Sequence, residues 1–409
     1  MNRHTIPIII SAAAAGAALV ILSALAFVGC KKESDGQLSF LSAVNAVSPV
    51  MPADELELLY NRDFFYDRLD YNEKKVYMNM LRACREMKDT TVFDSVLEDT
   101  FLKAEYALYA DHPEITWRWS YSGNLSGTVD TVYFDITDEN KKERNREAVK
   151  KADEWLAQID LGMSDYDKML TFYNMIVDET DYVENEYDQD MTSVFIEQDS
   201  VCAGYSRAFQ YLCKASGIEC AYIEGMAYGF QDDDEEAHAW NLVKLDDKYY
   251  WVDVTWGDPI SDDEKFKKTY PYFCSDDTEF LKTHKPEAAV WISDGQGNVL
   301  DEPLYSFELP SCEDSTLDYY KQSGAYFESY DREKMGFFLG NSLEENPEAV
   351  VEFKIGDVQQ YVRAVNDLFD ERAYVYDIVE DSLGSSVANT RDVYFIQDDT
   401  THVVSVFLE

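Results

Sequence analysis

Basic residues are scarce in this chain: 35 Lys and Arg stand against 80 Asp and Glu in 409 residues, a formal net charge of −45. A surface that acidic repels phosphate backbones, which excludes nucleic acid as a partner class. Cysteine is sparse, at 7 residues, and none of it has the spacing of a zinc site, so neither a metal nor a cofactor is expected. There is no internal repeat, and no low-complexity tract beyond the acidic run Asp232–Glu236. After residue 30 no stretch is long and apolar enough to span a membrane. What is abundant is core material. A hydrophobic content of 46%, with 14% aromatic residues, supplies sizeable cores, and the length predicts two or three domains.

The first thirty residues stand apart. Arg3 and His4 precede an apolar run from Ile6 to Val28, which ends in Gly29-Cys30-Lys31-Lys32. A short basic start, an apolar stretch and small residues at its end form the secretory pattern. A Cys directly after Gly29 resembles the bacterial lipoprotein signal, which implies lipidation of Cys30, export and a membrane anchor, with the chain facing outside the cytoplasm. Phe27 departs from the Leu usual at that place, and an uncleaved signal-anchor helix is the alternative. Residues 31–53, with Pro49 and Pro52, read as a tether. Of the six later cysteines, the count allows three disulfides or a working thiol, and alone decides neither.

Beyond the tether the pattern is α+β. Helical spacing runs through 54–110 (Leu56, Leu59, Tyr60; Val76, Met80, Leu81; Leu97, Phe101, Leu102, Tyr106), followed by strands at 115–121 and 128–136. This predicts a small α+β N-terminal domain, 54–138. A charged helix at 139–158 opens a middle domain, 139–309. Ser164 caps a second helix, and a third begins near Cys202 and stops at Gly217. Strands are predicted at 218–227, 237–245 and 248–255. A C-terminal α+β domain, 310–409, contains strands at 350–355, 373–379, 391–397 and 402–408 and a helix at 358–369.

Cys202 follows Asp199 and Ser200, either of which can cap a helix, so the thiol is placed in the first turn. A helix N-terminus offers unpaired N–H groups and positive partial charge, which favour a thiolate and can hold a developing oxyanion. Gly204 allows close approach of substrate or backbone. Tyr205, Ala208, Phe209, Leu212 and Cys213 then follow the spacing of a buried helical face, which assigns Cys213 to the core. Farther on, Ala237–Leu245 and Lys248–Trp256 read as two strands joined at Asp246-Asp247. In a symmetric register Val243 faces Tyr250, Trp240 faces Asp253 and His238 faces Thr255. His238 and Asp253 then share a face as diagonal neighbours, within side-chain reach. A carboxylate there would orient the imidazole toward a thiol.

Val201-Cys202-Ala203-Gly204-Tyr205-Ser206, Gly217-Ile218-Glu219-Cys220, His238-Ala239-Trp240-Asn241-Leu242-Val243 and Tyr250-Trp251-Val252-Asp253-Val254-Thr255-Trp256-Gly257-Asp258-Pro259 resemble, in that order, the transglutaminase-like superfamily and its bacterial exported members. The resemblance runs from about Tyr166 to His284. It implies a papain-like α+β core, with Cys202 as nucleophile, His238 as base and Asp253 as its orienting carboxylate. Asp258 is the runner-up for Asp253; His284 reads as structural, and His112 and His402 sit in no similar context. The implied chemistry is acyl transfer through a thioester, ending in hydrolysis or in transfer to an amine, on a protein or peptide substrate at the cell envelope. The alternative from another class is a surface-displayed binding lipoprotein with an inactive scaffold of this kind.

Overall fold

The computed structural model describes residues 4–5, 63–124, 127–135, 139–160, 162–228, 235–259, 266–292, 302–370 and 373–409. Cys30, the tether, and Leu56, Leu59 and Tyr60 lie outside the described residues. Among the described residues no helix is long and apolar enough to cross a membrane. They divide into two compact units: one falls within 13–255 and 283–312, the other within 1–12, 256–282 and 313–409.

After a single-turn helix at Phe64–Asp67, the first unit continues with helix α1 (Tyr71–Arg85), started by a capping box in which Asp70 accepts from the Glu73 N–H and Glu73 accepts from the Asp70 N–H. Strand β1 (Thr90–Leu97) leads into helix α2 (Glu98–Asp111), and strands β2 (Trp119–Asn124) and β3 (Thr128–Phe134) complete an antiparallel sheet in the order β1-β3-β2. Sequence alternation misses β1 because a bulge lies between Val92 and Val96, with Ser95 at φ 52. Helices α3 (Glu139–Leu156) and α4 (Asp165–Glu179) follow, the second capped by Ser164 as expected.

Helix α5 (Cys202–Ala215) packs on a sheet of β4 (Glu219–Tyr228), β5 (Glu235–Leu245), β6 (Lys248–Val252) and β7 (His284–Pro286), in the order β6-β5-β4-β7. The β5–β6 turn is Asp246-Asp247, at φ 49 and 62, the left-handed pair that a two-residue hairpin requires. Val243 faces Tyr250, as expected. The ladder, however, ends at the Asn241–Val252 pair, because the second strand stops at Val252 rather than 255. His238 and Thr255 therefore do not pair.

Residues 63–135, expected as a domain of their own, share this unit. The last carbonyls of α2, which no helical N–H can reach, accept from one polar stripe of α5. Arg207 donates to Tyr109 O (3.2 Å), Gln210 to Ala110 O (2.7 Å), and Lys214 to Asp111 O. The spacing 207, 210, 214 puts these donors on one helical face. Lys214 also pairs with the buried Asp63 at 2.6 Å.

The second unit is α+β by itself. Val351–Ile355, Val393–Asp398 and Val403–Leu408 form an antiparallel core under helices Arg332–Glu345, Val358–Val365 and Tyr374–Leu383. The last helix corrects the strand expected at 373–379. Its β-branched and aromatic residues suggest a strand, but Val375, Ile378 and Val379 are buried with helical spacing.

Gly204 shows how tightly α5 is seated. A Cβ there would run into Ser200 Oγ and lie 2.7 Å from Ser193 Oγ and 2.8 Å from the backbone oxygen of Asp188. Gly204→Ala is expected to destabilise the fold by about 1–3 kcal/mol through overpacking, read as a lower denaturant midpoint at unchanged m-value.

Candidate active site

The helix carrying Cys202 starts differently from the expectation. Asp199 and Ser200 do not cap it, because they form a short parallel pairing with Asp181 and Tyr182. Val201 is the cap residue, in extended conformation, and its own side chain forms no cap bond. The pairing brings Tyr182 to the thiol's own backbone: the Cys202 N–H points at the Tyr182 hydroxyl. Burial, followed by the Cys202 charge, pushes the Tyr182 phenol up, so it remains a protonated donor beside the sulfur.

Two buried polar groups hold this helix to strand β5. The Ser206 hydroxyl donates to Ala239 O at 2.9 Å, and the Asn241 amide donates back to Ser206 O at 3.0 Å and to Ala221 O at 3.3 Å. Ala239 is the neighbour of His238, so the bonds that dock the helix also set the distance from thiol to imidazole. The Cys202 side chain acts on the His238 imidazole. The Nε2 of that ring lies 2.8 Å from Asp253 Oδ2. The structure thus brings Cys202, His238 and Asp253 together, and the carboxylate on His238 is that of Asp253.

All three residues are buried, with Asp253 wholly out of solvent. Burial by itself would push the His238 imidazole down, but the Asp253 charge, and after it Cys202, outweigh burial and raise it to about 10. Asp253 shows the converse. Burial would raise its carboxyl, yet His238 and then His284 hold it well below the usual carboxylate range. The arrangement favours a charged imidazole against an ionised Asp253. An imidazolium next to a sulfur can stabilise a thiolate and later give its proton away.

His284, expected as structural, is part of this cluster. Its Nε2 lies 3.1 Å from the same Asp253 oxygen, and its Nδ1 lies 2.9 Å from Thr283 Oγ1. His238, Asp253 and His284 are a group whose ligating atoms fall within 4.8 Å of one another, a geometry that could hold a metal ion. The two short contacts are nevertheless hydrogen bonds of ordinary length to one carboxylate oxygen, and they satisfy these groups without an ion. Ser206, Asn241 and Tyr182 were also missed from sequence. An Asn inside an apolar strand was a signal for one of them, since a buried amide needs partners.

The remaining described cysteines, Cys84, Cys213, Cys220, Cys274 and Cys312, are buried, and neither they nor Cys202 form a disulfide. Cys213 belongs to the core, as expected, and Cys220 is buried as well. Burial pushes the Cys84 thiol up to about 12, so that thiol stays protonated and inert.

Residues 153–255 match the family model described as Transglutaminase-like superfamily. The Kyphoscoliosis peptidase of Mus musculus is 30% identical over 110 residues, covering 24% of this chain and 17% of that protein. The protein of that name from Homo sapiens gives the same identity and coverage. The matched region therefore spans well under two thirds of either relative. Among solved structures, a TGase shares 16% identity at a TM-score of 0.25, covering 43% of this chain and 52% of its own. An arylamine N-acetyltransferase from Bacillus cereus shares 14% identity at a TM-score of 0.20, covering 27% of this chain and 49% of its own. The span of the family model holds Cys202, His238 and Asp253, and residues 153–255 of this chain are a transglutaminase-like superfamily domain.

Proposed function

We propose that this chain is a cysteine acyl-transfer enzyme in which Cys202 is the nucleophile, His238 the proton carrier and Asp253 its orienting carboxylate. The 2.8 Å contact from His238 Nε2 to a fully buried Asp253 oxygen, on an imidazole that also feels Cys202, is the observation that carries the reading. The Cys202 thiolate attacks an amide carbonyl carbon, and the oxygen's charge develops near the Cys202 N–H and the Tyr182 hydroxyl. The C–N bond then breaks while His238 gives its proton to the departing amine, leaving a thioester on Cys202. Neutral His238 next takes a proton from water or from an incoming amine, and the acyl group leaves as an acid or a new amide. The likeness to a peptidase supports a peptide-bond substrate and hydrolysis as the default outcome.

We place this activity at the cell envelope, on protein or peptide substrates, with the chain anchored through lipid on Cys30. Support comes from the basic start, the apolar run and the Gly29-Cys30 junction. Cys30→Ala is expected to release the protein from membranes or block its processing, as fractionation and intact mass would report. A variant that stays membrane-bound at unchanged mass contradicts the anchor.

The triad is tested by comparing two conservative variants. Asp253→Asn can stabilise the wrong imidazole tautomer, which in a comparable triad costs about four orders of magnitude in rate. Asp258→Asn should cost far less. The measurement is the rate of iodoacetamide alkylation at Cys202 in each folded variant, followed by mass spectrometry. A thiol silenced by Asp258→Asn but left reactive by Asp253→Asn would overturn the assignment.

A further inference from the structure

The mechanism above leaves His284, buried beside the triad, unused. We propose that His284 is a positioning residue of the acyl-transfer site, a fourth member that acts through Asp253 to hold His238 against Cys202. The proposal rests on the triad reading. Its basis is geometric. His284 Nε2 and His238 Nε2 converge on the same oxygen, Asp253 Oδ2, at 3.1 and 2.8 Å. Since a carboxylate oxygen only accepts, His284 must present Nε2–H to it. The Thr283 hydroxyl, 2.9 Å from Nδ1, fits as the donor that fixes this tautomer. Trp240 packs edge-on against the ring, with centroids 4.9 Å apart, and His284 is almost wholly out of solvent, so water does not compete for either nitrogen.

The convergence is built into the sheet. His284 arrives on β7, on the far side of β4 from the strand that carries His238. The β4 residues opposite the two histidines are small: Gly225 faces His238, and Ala227 faces His284. A Cβ at Gly225 would lie 2.7 Å from Trp240 Cη2, so even an alanine would disturb the indole that backs His284. Small residues on the strand between leave room for the two rings, whose centroids are 5.9 Å apart, to meet over one carboxylate.

A second N–H on Oδ2 has two physical effects. It holds the carboxylate against rotation, and so fixes the direction in which the His238 ring points. It also draws charge from the oxygen that faces His238, so the proton of the reaction moves between His238, the thiol and the leaving amine and does not settle on Asp253. The titratable groups that act around the pair include Cys202, Tyr182 and Glu236 on the thiol side and His284 on the carboxylate side. A histidine that merely fills core would contribute to stability alone.

The test uses the full chain as wild type, His284→Ala and His284→Gln. It follows Cys202 alkylation by iodoacetamide from mildly acidic to mildly alkaline pH, alongside thermal unfolding. His284→Ala is expected to slow alkylation at neutral pH by about tenfold or more and to move the pH of half-maximal rate upward. His284→Gln, whose amide still donates, should come back to within about threefold of wild type. A folded His284→Ala protein with the wild-type rate and pH profile would overturn the proposal, as would equal impairment by Ala and Gln. Should the Ala variant not fold, the wild-type protein decides by long-range nitrogen–proton NMR. A His284 carrying its proton on Nε2 supports the proposal, and one carrying it on Nδ1 contradicts it. The two readings fail separately. A wild-type Cys202 no more reactive than Cys213 sinks the triad itself. A Cys202 that needs His238 but ignores His284 sinks only the present inference.

Discussion

A carboxylate with no access to water must find donors inside the protein or give up its charge, and Asp253 is such a carboxylate. Its answer is two imidazole nitrogens on one oxygen. Much of the local architecture serves that pairing. The hairpin turn at Asp246-Asp247 brings Asp253 back beside His238, β7 delivers His284 from across β4, and Gly225 and Ala227 keep the intervening surface low. Breaking the cluster on either side would leave a buried charge short of a partner, which costs far more than the loss of an exposed ion pair.

The thiol's position depends on a second set of buried polar contacts. Helix α5 buries apolar residues such as Phe209 and Leu212, but it presents Arg207, Gln210 and Lys214 to the end of α2. Cationic groups at a helix C-terminus are favoured by its dipole, and the carbonyls there need donors in any case. Hydrogen bonds are directional where hydrophobic contact is not, so this stripe fixes the rotation and the height of α5 together. Ser206 and Asn241 do the same on the strand side. Residues 63–135 thus serve as the bed of the helix that carries Cys202.

How much of this was legible in the sequence follows from the range of the interactions. Local rules put Cys202 near the start of a helix and bring His238 and Asp253 close through strand alternation and a two-residue turn, although the second strand stops at Val252, and it is the resemblance that implied their roles. His284 could not. It lies 31 residues beyond Asp253, on a strand of three residues too short to show any alternation. The true cap of α5 was hidden for a related reason, since Asp199 and Ser200 are good caps whose backbone is claimed by a pairing with Asp181 and Tyr182. At 373–379 composition pointed to a strand, and burial at helical spacing overrode it.

The central claim is that a single imidazole, oriented by Asp253, makes Cys202 the chain's one thioester-forming nucleophile. It is tested most directly by exposing the full chain to an activated acyl ester, quenching in acid and locating the adduct by peptide mass mapping. The account predicts an acyl group on Cys202 that hydroxylamine removes and that His238→Ala fails to acquire. An adduct spread over Cys202, Cys213 and Cys220 alike, or one that forms equally well in His238→Ala, would contradict it.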